Sequence, residues 1–280
     1  MNFNQIKFGK PSIYVDGIGG GIVPPVVYDV NAQYYFDRVT AASGTLTTPE
    51  KNAINTLVLS LKASDAWTKT LALYPFLGTT AATNALNLKT NNYDGTFYGG
   101  WLFQSTGVKP NGTNAYFNTT IRGYPELVNE KYISMSTYVN EFIETPRAQM
   151  GAIGANNTIN MIAPKVDSAT LGRYVATGNN TSTMVTDATA IKGFLGVSRI
   201  SLTDFRYYKG NVETLSTLAA GLGGYIYPIV MGAFGGYAGV IGNFDNARIA
   251  FGHLGNGLTS AEMLSLQSAV NTYTLALGRN

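Results

Sequence analysis

The chain contains no cysteine and only one histidine in 280 residues. Without cysteine there can be no disulfides, no thiolate nucleophiles and no cysteine-based zinc or iron–sulfur sites. With His253 as the lone imidazole, Cys–His dyads, histidine-rich metal sites and triads with a second histidine are excluded as well. Charge is also scarce, at 12% of residues against about 25% in a typical soluble domain. Disordered and coiled-coil chains both need more. The 19 basic and 16 acidic residues form no basic cluster. The densest spot, Arg199, Arg206 and Lys209, is interrupted by Asp204, so no nucleic-acid footprint is expected. Residues 1–11 lack the apolar run of a secretory signal. Residues 214–244 carry no charge, yet they hold eight glycines, Pro228, Ser216 and Thr217. Buried strands around a glycine loop account for that run, and no membrane span is expected.

What is present favours β structure. Hydrophobic residues make up 45%, enough for a sizeable core, and 32 glycines with abundant Thr, Asn and Ser suit strands and tight turns. Residues 1–28 mix Gly17-Ile18-Gly19-Gly20-Gly21 with Pro24-Pro25 and read as an extended anchoring arm, docked or floppy. The glycine run lacks the Lys-Ser/Thr of a phosphate loop.

Residues 29–85 read as a short helical region. Asp29 caps a turn through Asp37, and Thr48-Pro49-Glu50 opens a helix with a hydroxyl cap and proline at its first position. Ile54, Leu57, Val58 and Leu61 form its apolar face. Ser64-Asp65 opens another helix through Trp67 and Leu71 to Pro75.

Residues 86–280 read as a β-sandwich ending in a helix. Strands are expected at 97–103, 115–121, 132–139, 198–208, 225–234 and 246–253, with a possible change of phase near Asp204. Lys209-Gly210-Asn211 is a hairpin turn returning through 212–215. Thr259-Ser260-Ala261-Glu262 is a capping box, with Leu258 and Met263 at the staple positions. No internal repeat is present.

Candidate chemistry is thin. His253 lies in an apolar strand end and reads as a hydrogen-bonded structural residue. Paired acids for glycan hydrolysis need about 5–9 Å between carboxylates, whereas Glu141 and Glu144 fall on opposite faces of a strand and Glu126 and Glu130 flank a loop. The loops Asn91-Asn92-Tyr93-Asp94-Gly95 and Asn243-Phe244-Asp245-Asn246 offer oxygens for calcium but lack the glutamate of the calcium-loop pattern, and side-chain turn chemistry explains them. Neither catalytic, metal nor cofactor residues are therefore expected. The remaining resource is aromatic. Trp101, Tyr98 and Tyr116 are the candidate ligand or interface contacts, with Asn and Asp available for sugar hydroxyls.

Three stretches carry a resemblance. They are the helical lead Ala53-Ile54-Asn55-Thr56-Leu57-Val58 with Trp67-Thr68-Lys69 and Tyr74-Pro75-Phe76, the patch Gly99-Gly100-Trp101 through Lys109-Pro110-Asn111-Gly112-Thr113-Asn114-Ala115-Tyr116, and Ala247-Arg248-Ile249-Ala250-Phe251 with Gly255-Asn256-Gly257-Leu258-Thr259-Ser260-Ala261-Glu262. Together they resemble a virion structural protein family of tailed, crAss-like phages, itself similar to concanavalin-like, laminin-G-like jelly rolls. The resemblance implies a mainly β jelly-roll sandwich in a bacteriophage particle component. A head fibre, capsid decoration or other surface protein assembled in the host cytoplasm fits it, with no catalytic residues. The expected partners are other virion proteins, held through the arm. Sparse surface charge points to a homo-oligomer, with a trimer favoured. The alternatives are a carbohydrate-binding host-adhesion protein on the same fold and, further off, a glycan depolymerase.

Overall fold

A computed structural model describes residues 26–122, 132–141, 148–153, 158–163, 172–179, 185–187, 192–216, 227–235 and 239–280. Residues 1–25 of the expected 1–28 arm, the segment holding Glu126 and Glu130, and Glu144 lie outside these residues.

Asp29 accepts a hydrogen bond from the Asn31 N–H and caps helix α1 (Val30–Ala41), a full helix rather than a turn ending at Asp37. Its buried face is Ala32, Tyr35, Phe36 and Val39. Helix α2 (Thr48–Ala63) starts one residue earlier than expected, because Thr47 and not Thr48 is the cap. The Thr47 N–H and hydroxyl both donate to the Glu50 carboxylate, at 2.7 and 2.9 Å, closing a capping box that proline at the second position tolerates. Ile54, Leu57, Val58 and Leu61 are all buried, as their spacing predicts.

The helix expected from Asp65 to Pro75 is only one turn, α3 (Ala66–Lys69). Asp65 has φ 60° and caps nothing. Lys89 Nζ donates to the carbonyls of Trp67 and Thr70, taking the oxygens that a continuing helix would need. The chain then extends as strand β1 (Thr70–Tyr74), so the 29–85 region contributes a strand to the sandwich as well as helices. One further turn, α4 (Ala81–Asn84), follows.

The remaining strands are β2 (Thr96–Tyr98), β3 (Trp101–Gln104), β4 (Gly107–Pro110), β5 (Tyr116–Asn118), β6 (Ile133–Glu141), β7 (Met150–Ile153), β8 (Thr158–Ala163), β9 (Gly172–Asn179), β10 (Val185–Asp187), β11 (Gly193–Arg199), β12 (Phe205–Lys209), β13 (Val212–Ser216), β14 (Val230–Met231), β15 (Phe234–Gly235), β16 (Ile241–Gly242) and β17 (Arg248–Asn256). Helix α5 (Ser260–Ala276) ends the fold. Among the described residues the strands make two sheets. The first runs β13-β12-β11-β6-β17-β4-β3, with β1 also pairing β17; the second runs β10-β9-β8-β7-β14-β5-β2, with β15 and β16 attached beside β7.

Three expected strands are each split. In the described part of the 225–234 run, Gly232 with φ 75° separates β14 from β15. The 97–103 run breaks at Gly99-Gly100, sending β2 and β3 into different sheets. Gly99 makes the break with φ 74°, and a Cβ there would lie 2.4 Å from the Asn114 carbonyl oxygen. The 198–208 run reverses at 200–204, where Ser201 Oγ accepts from the Thr203 and Asp204 N–H groups. The phase change near Asp204 is the sequence trace of that turn. The hairpin over Gly210-Asn211 forms as expected, pairing Lys209 with Val212. So does the capping box, with Thr259 Oγ1 and N–H donating to Glu262, and the staple residues Leu258 and Met263 are buried.

The core has two layers. Phe117, Phe76, Tyr74, Met135, Val197 and Leu254 pack between the sheets. Tyr138, Phe194, Tyr208 and Phe251 line the other face of the first sheet, beneath Leu57, Leu61, Leu266, Val270 and Tyr273 of α2 and α5. Strands β6 and β17 are thus covered on both faces, which is why seven consecutive residues of each are buried without alternation.

Candidate functional site

With helices closing the first sheet, Tyr98 and Tyr116 sit on the second, and Trp101 lies on β3 at the end of the first. β2 reads Thr-Phe-Tyr and β5 reads Tyr-Phe-Asn, so alternation sends Phe97 and Phe117 inward and the flanking residues outward. Inside, the two Phe rings meet at 4.5 Å. Outside, the register sets Tyr98 opposite Tyr116 and Thr96 opposite Asn118. The Tyr98 and Tyr116 rings stack at 4.7 Å with 11° between planes, and Tyr98 is 44% exposed. Burial, with Tyr98 beside it, pushes the Tyr116 hydroxyl pKa up.

Trp101 plays a different part. Its Nε1 donates to the Tyr98 carbonyl at 2.9 Å, and its ring meets Phe97 edge-on at 5.0 Å. Its far edge lies over Gly232, where φ is 75° and a Cβ would come within 2.8 Å of Cη2. Trp101 is therefore a half-buried brace behind the ledge, and Tyr98 offers the exposed ring. The loop leading into β5 is tied together by side-chain hydrogen bonds. Asn111 Oδ1 accepts from the N–H groups of Thr113, Asn114 and Ala115, and Asn111 Nδ2 donates to Asn114 Oδ1.

The described acids are mostly engaged in structure. Asp94 takes both oxygens to Arg38 and one also to the Asn87 N–H, so the first candidate calcium loop is a structural clasp. In the second, Asp245 Oδ1 accepts from the Asn246 and Ala247 N–H groups, the turn chemistry expected of it. Glu141 pairs with Lys109 and Arg248, and its pKa is lowered chiefly by the Lys109 hydrogen bond. Asp204 and Glu213 both bind Arg206, Asp29 binds Lys62, and Glu262 binds Lys69. Among the described residues no group of three His, Cys, Asp or Glu could hold a metal ion. His253 is fully buried, and among the described residues neither ring nitrogen has the hydrogen-bond partner expected of it. Burial, aided by the charge of Lys89, pushes its pKa down to about 3, so it is neutral.

The sequence could name Tyr98, Trp101 and Tyr116 but not separate their roles. The cross-strand register that stacks two tyrosines eighteen positions apart depends on the Gly99-Gly100 break.

No protein-family model matches the chain, and no curated protein matches it. Solved structures do. Domain 4 of AbnA, an extracellular GH43 arabinanase of Geobacillus stearothermophilus in complex with arabinotriose, is 14% identical over 71% of this chain and 98% of that one, with a TM-score of 0.46. A Trypanosoma rangeli sialidase mutant displaying trans-sialidase activity is 10% identical over 78% of this chain, with a TM-score of 0.50, and the chain spans 39% of its length. The binding domain of Botulinum Neurotoxin DC in complex with SialylT is 11% identical over 72% of this chain and 52% of that one, at 0.47. At such identities the likeness is one of fold: a mainly β, jelly-roll-like sandwich with a C-terminal helix.

Proposed function

We propose that the chain is a non-catalytic surface component of a tailed-phage particle whose sandwich contacts a glycan through the Tyr98–Tyr116 ledge. The observation that carries the glycan contact is the stacked, outward-facing pair on the sheet that α2 and α5 leave uncovered. A sugar ring stacks on such a face through its C–H groups, while neighbouring amide and hydroxyl groups fix its hydroxyls. The ion-paired acids described above favour binding over hydrolysis. The test is a glycan panel against the full chain. Tyr98→Ala weakens a saturable interaction about tenfold or more, about 1.4 kcal/mol, while the unfolding midpoint stays close to that of the parent. No saturable binding, or binding indifferent to Tyr98→Ala, refutes the reading.

A second reading is a head-fibre or decoration protein acting through assembly alone. A separate observation favours it. Val26, Val27, Val30 and Tyr34 are 60%, 89%, 74% and 41% exposed, at the point where the expected arm joins the body. Such side chains suit burial against a virion partner or another copy in a trimer. Deleting residues 1–27 then abolishes incorporation into particles and leaves the sandwich folded. Undiminished incorporation counts against anchoring by the arm.

A further inference from the structure

A buried cation with no ion pair among the described residues sits where three elements converge. Arg279, just beyond α5, is 1% exposed. Its Nη1 donates to the Pro75 carbonyl at 2.9 Å, to the Tyr273 hydroxyl at 3.2 Å and to the Ala250 carbonyl at 3.4 Å. The Ala250 carbonyl is within reach because β17 shifts register there, between Ile249 opposite Val139 and Phe251 opposite Tyr138. Tyr273, 1% exposed, donates to the same Pro75 oxygen at 2.7 Å. These acceptors serve one corner of the guanidinium only. Among the described residues its Nε and Nη2 have no partner, and neither does the hydroxyl of Tyr35, which α1 sends into the same layer at 0% exposure. Tyr35 lies near enough for the Arg279 charge to oppose the rise in its pKa that burial imposes.

Unpartnered buried groups are rare in folded proteins, and an unpaired buried charge is costlier still. The guanidinium cannot shed its proton. The acid that acts on both Tyr35 and Tyr273 is Glu50, and its carboxylate is held by Thr47 at the start of α2. All the unpartnered groups on Arg279 are donors, and the tyrosine hydroxyl can donate too. We propose that Arg279 Nε and Nη2, with the Tyr35 hydroxyl, hold a small monovalent anion of the chloride class beneath α1. Water would accept from the same donors but leave the charge uncompensated.

The test uses the full chain, and the probes are chloride and bromide. Thermal unfolding in sodium chloride is compared with sodium gluconate at equal ionic strength, since gluconate is too large for the site. Chloride raises the midpoint by about 3 °C. Tyr35→Phe, which removes one hydroxyl and keeps the ring, loses most of that dependence, and Arg279→Gln abolishes it. Should Arg279→Gln fail to fold, the Tyr35→Phe comparison and a bromide anomalous peak beside Arg279 Nη2 carry the test. Equal midpoints in the two salts, full chloride dependence in Tyr35→Phe, or bromide peaks confined to the surface would each overturn the site.

Discussion

Adjacent residues on β5 provide the sharpest check of the sheet assignment. Phe117 is fully buried and meets Phe97 at 4.5 Å, Tyr74 at 4.9 Å and Phe76 at 5.7 Å. Removing a buried Phe costs about 3–5 kcal/mol through lost transfer energy and the void left behind, and each aromatic pair adds a fraction of about 1 kcal/mol. The void cannot readily collapse. One wall is Gly95, whose missing Cβ would sit 1.9 Å from the Phe117 ring, so no side chain there can move in. Phe117→Ala should therefore fall at the upper end, about 4–5 kcal/mol, a large share of a typical domain's stability of about 5–15 kcal/mol. At about 2–4 °C per kcal/mol for a domain of this size, the midpoint drops by about 10–15 °C. Tyr98→Ala, on the outward face, loses one stacked pair and little buried area, about 1 kcal/mol. Chemical denaturation of both variants, with the slope held common, measures the contrast. If the two cost the same, or Phe117→Ala costs under about 1 kcal/mol, then the inward and outward faces of β2 and β5 have been exchanged.

His253 makes a pH prediction. Its folded pKa of about 3 lies below the value near 6.5 of an unfolded histidine, so between those values the unfolded chain binds the extra proton. Stability therefore falls as pH drops, by up to about 1.4 kcal/mol per unit, and His253→Gln flattens the slope between about pH 5 and 6.5, where carboxylates titrate little. An unchanged slope in the variant contradicts the assignment. Below that window the carboxylates take over. For Asp29 and Glu262, burial tends to raise the pKa but is outweighed by hydrogen bonds, mainly from Lys62 and Lys69. Their depressed folded values add stability that is present above about pH 4 and lost on further acidification. Glu262→Ala opens the α5 capping box and frees Lys69, which is 37% exposed, so most of its cost of about 1–2 kcal/mol comes from the cap. Denaturation at low and high salt should give nearly the same loss; a loss that vanishes in salt would assign it to the ion pair.

Much of the fold was legible because local chemistry and tertiary structure agree there. The α5 capping box, the Gly210-Asn211 hairpin and the α2 stripe each state their conformation within a few residues. The failures have physical causes. Thr70 to Tyr74 read as helix because its strand partner lies about 180 positions away in β17, and no local signal encodes that ladder. The run 97–103 looked continuous because both halves are aromatic, while its two glycines acted as a corner between sheets. β6 and β17 lack alternation since helices cover one face and the second sheet the other. Of the site, residue types were readable and geometry was not: Trp101 looks like the best stacking surface in the sequence, yet Gly232 draws it into the body. Arg279 gave no signal at all, being one arginine near the end of a chain.

The position of β17 bears on how the molecule is made. Among the described strands it takes β6 along one edge and β4 with β1 along the other, so it is the piece that joins three otherwise separate stretches. Thr70 faces Gly255, and Val108 faces Ile249. A ribosome must therefore deliver the chain as far as β17 before the first sheet can close. Until then β1, β4 and β6 are strands with open edges, and the apolar faces of α1 and α2 have no floor. The chain is committed to folding late, as a unit, after residue 256 has emerged. A nascent chain stalled before β17 would present several open strand edges to its neighbours on the same polysome.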